Sequence, residues 1–141
     1  MVRQHQMMLS YRPGMTIEGN LPMAYVDGFI VAVPRKNLAA YKKLSKRCGK
    51  VWREHGALDY REWVADDVKV GKWTSFPRAV KKKPNETVVF AWITYKSRAA
   101  RDRINAKVMV DPRLKSMMDT SKAPFDGKRM IYGGFTNLVT A

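Results

Sequence analysis

Cysteine is almost missing from this chain. Cys48 stands alone among 141 residues, which excludes an internal disulfide framework and any zinc module built from several cysteines. Histidine is scarce as well, with only His5 and His55. No pair of histidines and no carboxylate–histidine spacing assembles three ligands, so neither a metal nor a cofactor is expected. Acids are few, 12 Asp and Glu against 27 Lys and Arg, leaving a formal net charge of +15. No run approaches the roughly 18 uninterrupted apolar residues that a membrane-spanning helix needs. Such sparing use of cysteine suits a reducing cytoplasm, which is the expected location. What the chain does have is 45% hydrophobic and 11% aromatic residues, enough for one domain with a real core.

Residues 1–23 differ from the rest. They show neither a helical nor a strand period and carry the turn signals Pro13-Gly14 and Gly19-Asn20. Their charges are Arg3, Arg12 and Glu18, too sparse for a basic nucleic-acid arm. A secretory signal would need an apolar stretch that is absent here, while a mitochondrial presequence stays open. A flexible extension is expected, followed by one folded domain over residues 24–141.

From Tyr25 the pattern sharpens. Tyr25 to Val33 is β-branched and aromatic and ends at Pro34, a strand. Asn37 is placed to cap a helix running to His55, with Gly56 as its stop. Leu38, Tyr41, Leu44, Cys48, Val51, Trp52 and His55 form its apolar stripe. Leu58 to Ala65 reads as a second strand, interrupted by Asp59, Arg61 and Glu62. The connection from Asp66 to Glu86 is longer than structureless loops usually are, so it should hold a short helix. Thr87 to Tyr95 is the clearest strand, Ser97 caps a second helix with Ala100, Ile104 and Val108 inward, and Asp111-Pro112 opens a short third one. Arg129 to Leu138 forms a last strand, loosened at Gly133-Gly134. The order strand, helix, strand, strand, helix, strand is that of an α+β, ferredoxin-like βαββαβ fold, a four-stranded antiparallel sheet with helices on one face.

Such a sheet should alternate apolar and polar residues. Here Val88, Phe90 and Trp92 point one way while Val89, Ala91 and Ile93 point the other. Phe29, Val31 and Val33 likewise oppose Val26, Ile30 and Ala32. Helices cover one face, and a second copy packed sheet to sheet about a two-fold axis would cover the other. The competing arrangement has the extension or the long connection folded over that face.

The segments Tyr25-Val26-Asp27-Gly28-Phe29, Glu86-Thr87-Val88-Val89-Phe90 and Pro124 to Phe135 (PFDGKRMIYGGF) closely resemble the YbaA-like family of uncharacterised bacterial proteins. Asp111-Pro112-Arg113 and His55-Gly56-Ala57 sit where that pattern expects them. The resemblance implies the dimeric α/β-barrel superfamily, which includes monooxygenases, dismutases and plain ligand binders. It implies no reaction. Residues 1–22 have no counterpart in the pattern, and Lys81-Lys82-Lys83 is more basic than the family leads one to expect.

Candidate chemistry is thin. Asp27 lies inside an apolar strand, where a carboxylate needs a partner, a raised pKa or a water-exposed edge; adjacent Gly28 favours the edge. His55, in the last helical turn, can cap free carbonyls or act as a base. Asp66, with Asp67, could bind a cation or simply solvate a turn. Cys48 reads as a core thiol. Trp52, Trp63, Trp92 and Tyr132 could wall a pocket, with Arg129 receiving an acidic group, although strand and helix aromatics are more often ordinary core. Lys42, Lys43, Lys46 and Lys50, joined by Lys81, Lys82 and Lys83, form a basic surface suited to polyanions or simply solvated. The leading expectation is a homodimer that binds, and is open to transforming, a small organic or acidic molecule. The alternative is a nucleic-acid (RNA)-associated accessory protein using the basic helix and loop. A purely structural partner protein is a third reading.

Overall fold

The computed structural model describes residues 25–117 and 122–141. The expected extension over residues 1–23, with His5, and the short helix's Met118 therefore lie outside the described residues. Strand β1 is Tyr25–Pro34, followed by a 3-10 turn at Arg35–Asn37 and helix α1, Leu38–Glu54. Strand β2 is Asp59–Val64, the short helix α2 is Phe76–Ala79, and β3 is Glu86–Tyr95. Helix α3 covers Arg98–Met109, α4 covers Pro112–Met117, and a 3-10 turn at Gly127–Arg129 leads into β4, Ile131–Thr136. The strands pair antiparallel in the order β2-β3-β1-β4, the ferredoxin-like arrangement that the element order predicts.

Helix ends follow local chemistry, with one correction. Ser97 Oγ accepts from Ala100 N at 3.1 Å and caps α3, and Ser75 does the same for α2 through Arg78 N at 3.2 Å. Gly56 stops α1 in the left-handed region, φ +115°, where a Cβ would be strained. Asn37, however, is not a side-chain cap. Its Nδ2 donates instead to Pro124 O at 3.1 Å and ties the start of α1 to the segment before β4.

The paired register sorts the strand residues into two faces. Ile93 and Tyr95 face the helices and join Val51, Ala100, Ile104, Val108 and Leu114 in the main core, while Val31, Val33 and Val89 form a second buried cluster against Leu38 and Tyr41. Each fully buried aliphatic side chain there contributes about 1.5–3 kcal/mol of transfer free energy. The other face carries Ile30, Ala32, Val88, Phe90, Trp92, Trp63, Ile131 and Phe135. The long connection covers one end of it, since Val80 is fully buried against Ala32 and Val88. At the other end Trp63, Phe90, Ile131 and Phe135 are exposed. β1 is no edge: Gly28 pairs in register with Trp92 on one side and Gly133 on the other. The Phe135 ring lies across both glycines, 3.6 Å and 3.8 Å from where their Cβ atoms would stand. No helix among the described residues is long and apolar enough to cross a membrane.

Candidate functional site

A cleft of about 790 Å³ opens between α1 and the edge strand β2 on the helical side of the sheet. Helical spacing places Tyr41 and Ser45 one turn apart, with Gly49 and Arg53 continuing the same face. Strand alternation brings Tyr60, Glu62 and Val64 to face them. Leu38 and Val89 supply an apolar floor. Three hydroxyls converge on Glu62: Tyr41 OH donates to Oε1, Ser45 Oγ donates to Oε2, and Tyr60 OH donates to Oε2 at 3.1 Å. Both tyrosines are held from behind. The Tyr41 ring meets Phe125 edge to face at 5.5 Å, and the Tyr60 ring packs on Trp52 at 6.2 Å. Trp52 is fixed in turn by its Nε1 donating to Asn105 Oδ1 at 3.0 Å.

Burial decides the electrostatics of this cluster. It raises the Glu62 carboxyl above its ordinary value, against the pull of the Tyr41 and Tyr60 hydrogen bonds. The Tyr41 and Tyr60 phenols are pushed far up by burial and then by the neighbouring Glu62 charge, so they stay protonated as donors. Burial and the Glu62 charge raise the Cys48 thiol as well, which makes it a poor nucleophile. Over this acidic interior stand Lys42, Lys46 and Lys50, at the cleft mouth and in no ion pair among the described residues. Arg53 is already engaged, donating to the carbonyls of Ala57, at 3.1 Å, and Leu58. An apolar trough with a cationic mouth and a hydrogen-bonded carboxyl inside can hold an organic anion and exchange a proton with it.

The residues singled out from the sequence are not gathered in this cleft. Trp63 and Trp92 meet at 5.5 Å, but on the opposite face of the sheet. Tyr132 stacks on Phe29 at 6.2 Å on edge strand β4, and Trp52 is a support behind Tyr60. Arg129 is not free to receive an acid. It forms a bidentate pair with buried Glu86 (2.7 and 2.6 Å) and a further contact with Asp126 at 3.0 Å. Asp27 is buried in a central strand, contrary to the edge expectation, and has a partner: Arg101 Nε lies 3.5 Å from its Oδ1. Among the described residues the His55 imidazole caps no carbonyl; its Nε2 meets Asp111 Oδ2 at 2.8 Å instead. Asp111 also accepts from the Arg113 guanidinium, which with His55 holds its carboxyl far below the usual range. Asp66 is exposed and enters no ion pair among the described residues. Lys43 is exposed outside the cleft lining. Lys81, Lys82 and Lys83 lie on the turn before β3, where Arg129 Nη1 holds the Lys81 carbonyl at 2.9 Å. Among the described residues no group of three or more His, Cys, Asp or Glu could hold a metal ion.

Glu62, Tyr60, Ser45 and Gly49 went unmarked as site residues in the sequence, and two of them carried a signal. Glu62 lowers the quality of β2 as a strand, and Gly49 sits inside a helix, where glycine costs about 1 kcal/mol relative to alanine. The structure explains the glycine: a Cβ at position 49 would stand 2.8 Å from the Tyr60 ring.

The sheet order, with α1, α3 and α4 on one face, defines an α+β, ferredoxin-type protein. Two crystal structures share this fold. An uncharacterized NIPSNAP domain protein from Burkholderia xenovorans has a TM-score of 0.56 at 12% identity, over 83% of this chain and 97% of its own. A NIPSNAP family protein with unknown function from Agrobacterium tumefaciens has a TM-score of 0.53 at 14% identity, over 81% and 87%. Residues 24–127 match the family described as "Protein of unknown function (DUF1428)". The chain is also 49% identical over 117 residues to the uncharacterized protein YbaA of Escherichia coli strain K12, and equally to that of Shigella flexneri. These matches cover 83% of this chain and 98% of each relative. The chain therefore belongs to the DUF1428 family, in agreement with the YbaA-like motifs.

Proposed function

We propose that the protein binds a small organic anion in the cleft between α1 and β2 and works as a homodimer joined through the free face of its sheet. One observation carries the ligand reading: Lys42, Lys46 and Lys50 stand unpaired, among the described residues, at the mouth of a cleft whose floor is apolar. A carboxylate at the mouth would answer the lysines, and its hydrocarbon body would replace water over Leu38, Val64 and Val89. The dimer reading is supported by exposed Trp63, Phe90, Ile131 and Phe135 on one continuous face, a surface that isolated chains rarely leave to water.

The ligand reading is tested by titrating aromatic and aliphatic carboxylates, alongside their neutral amides, against the protein by calorimetry and ligand-observed NMR. The carboxylates should bind more tightly than the amides. Lys46→Ala/Lys50→Ala should weaken them at least about tenfold, an effect of roughly 1.4 kcal/mol. Lys82→Ala/Lys83→Ala, away from the cleft, should leave affinity unchanged. Equal binding of acids and amides, or indifference to Lys46 and Lys50, would overturn the reading.

A further inference from the structure

We propose that Glu62 is the proton-transfer residue of the cleft, and that its substrate is an organic anion bearing a carbonyl group with a C–H beside it, interconverted between keto and enol forms. This rests on the reading that the cleft binds an organic anion and adds the chemistry performed on it.

The geometry points there in three ways. First, Glu62 is half-buried and lines the cleft, on the wall that a bound molecule would meet. Second, the hydroxyls of Tyr41, Ser45 and Tyr60 reach it from two different elements, fixing its plane before anything binds. Preorganisation of this kind lowers the cost of proton transfer in the transition state. Third, the remaining reactive groups are unsuited to covalent chemistry. Ser45 donates its proton to a carboxylate and has no imidazole base, while the Cys48 thiol is half-buried and held protonated. What remains is a carboxyl base flanked by two phenols that stay protonated as donors. A carboxyl that burial raises above its ordinary value is suited to general acid–base work.

The step balances without any oxidant, reductant or co-reactant. Glu62 as carboxylate takes the proton from the carbon beside the carbonyl. The C–H electron pair becomes the new C=C bond, and the carbonyl π pair moves onto oxygen. Once protonated, Glu62 needs one hydrogen bond fewer, and the phenol of Tyr60 or Tyr41 turns its single O–H from Glu62 to that oxyanion. The proton then held by Glu62 passes to the oxygen, giving the enol and restoring the carboxylate. The reverse sequence returns the ketone. The lysines at the mouth hold the substrate's anionic end, leaving the carbonyl directed at the polar interior.

The experiment follows exchange of the carbon-bound protons for deuterium by NMR in D2O, using pyruvate, phenylpyruvate, 2-oxobutyrate and 2-oxoglutarate as probes. At neutral pH at least one should exchange about a hundredfold faster with the protein than in buffer, the scale of a single acid–base residue. Glu62→Gln should return that probe to the buffer rate while still shifting its lines on binding. Tyr41→Phe and Tyr60→Phe, which keep the rings and the packing, should each slow exchange about tenfold. Lys82→Ala should have no effect. If carboxylates bind but no probe exchanges faster than in buffer, the proton-transfer inference falls and the binding reading stands. If no carboxylate binds, both fall. Fast exchange that persists in Glu62→Gln, with circular dichroism confirming an intact fold, removes Glu62 from the role.

Discussion

Two glutamates on this sheet, Glu86 buried and Glu62 half-buried, answer to pH in opposite senses. Glu86 is held below the ordinary carboxyl value, chiefly by the Arg129 guanidinium. Below about pH 4.5 the unfolded chain therefore takes up protons that the folded one refuses, and stability drains away as pH falls. Glu62 is raised by burial, so the folded state keeps its proton after the unfolded state has lost it. Over that interval, above about pH 4.5, its contribution falls as pH rises. Urea unfolding from pH 3 to 8 separates the two. Glu62→Gln should flatten the decline on the neutral side and leave the acid limb intact. Arg129→Gln should cost about 3 kcal/mol or more at neutral pH, because it strands a buried carboxylate. A loss below about 1 kcal/mol would show that Arg129 is not what keeps Glu86 buried.

At the level of elements, the cleft depends on how closely α1 approaches β2, and Gly49 sets that distance. Gly49→Ala should gain about 1 kcal/mol of helix propensity and lose more than that by pushing the Tyr60 ring from its seat, for a net loss of about 1 kcal/mol. Combined with Tyr60→Ala, the same change should become neutral or favourable, a coupling that thermal unfolding of the four variants would read. The fold itself was legible because its strands are β-branched and its helices carry serine caps and a glycine stop, signals that act over a few residues. The cleft was not. Asn37 has the chemistry of a cap, yet it bonds a carbonyl 87 positions away. Glu62 reads as a flaw in β2 until the register turns it toward Tyr41 and Ser45 of α1. Tryptophans draw attention in a sequence, but the pleat sends Trp63 and Trp92 to one face while α1 keeps Trp52 on the other.

For the whole molecule, the open question is the uncovered end of the sheet. Phe135 is 60% exposed and lies on edge strand β4, so a charge there can be solvated in a single copy but not between two. Phe135→Glu should convert a dimer seen by sedimentation velocity at micromolar concentration into monomers, with an unchanged circular dichroism spectrum. A wild-type protein that sediments as a monomer would return the face to solvent and withdraw the dimer. The connection also leaves Trp73 92% exposed, on the segment that continues into Phe76, whose ring meets Phe90 at 6.0 Å.

The Glu62 cluster and the Trp63–Trp92 pair stand back to back on opposite faces of the sheet, with β2 common to both. Residues 60 and 62 answer to one environment, while 61 and 63, their immediate neighbours, answer to another. A change in the proposed cleft need not disturb the proposed dimer face, and the reverse holds as well. Within β2, each successive side chain enters a separate environment.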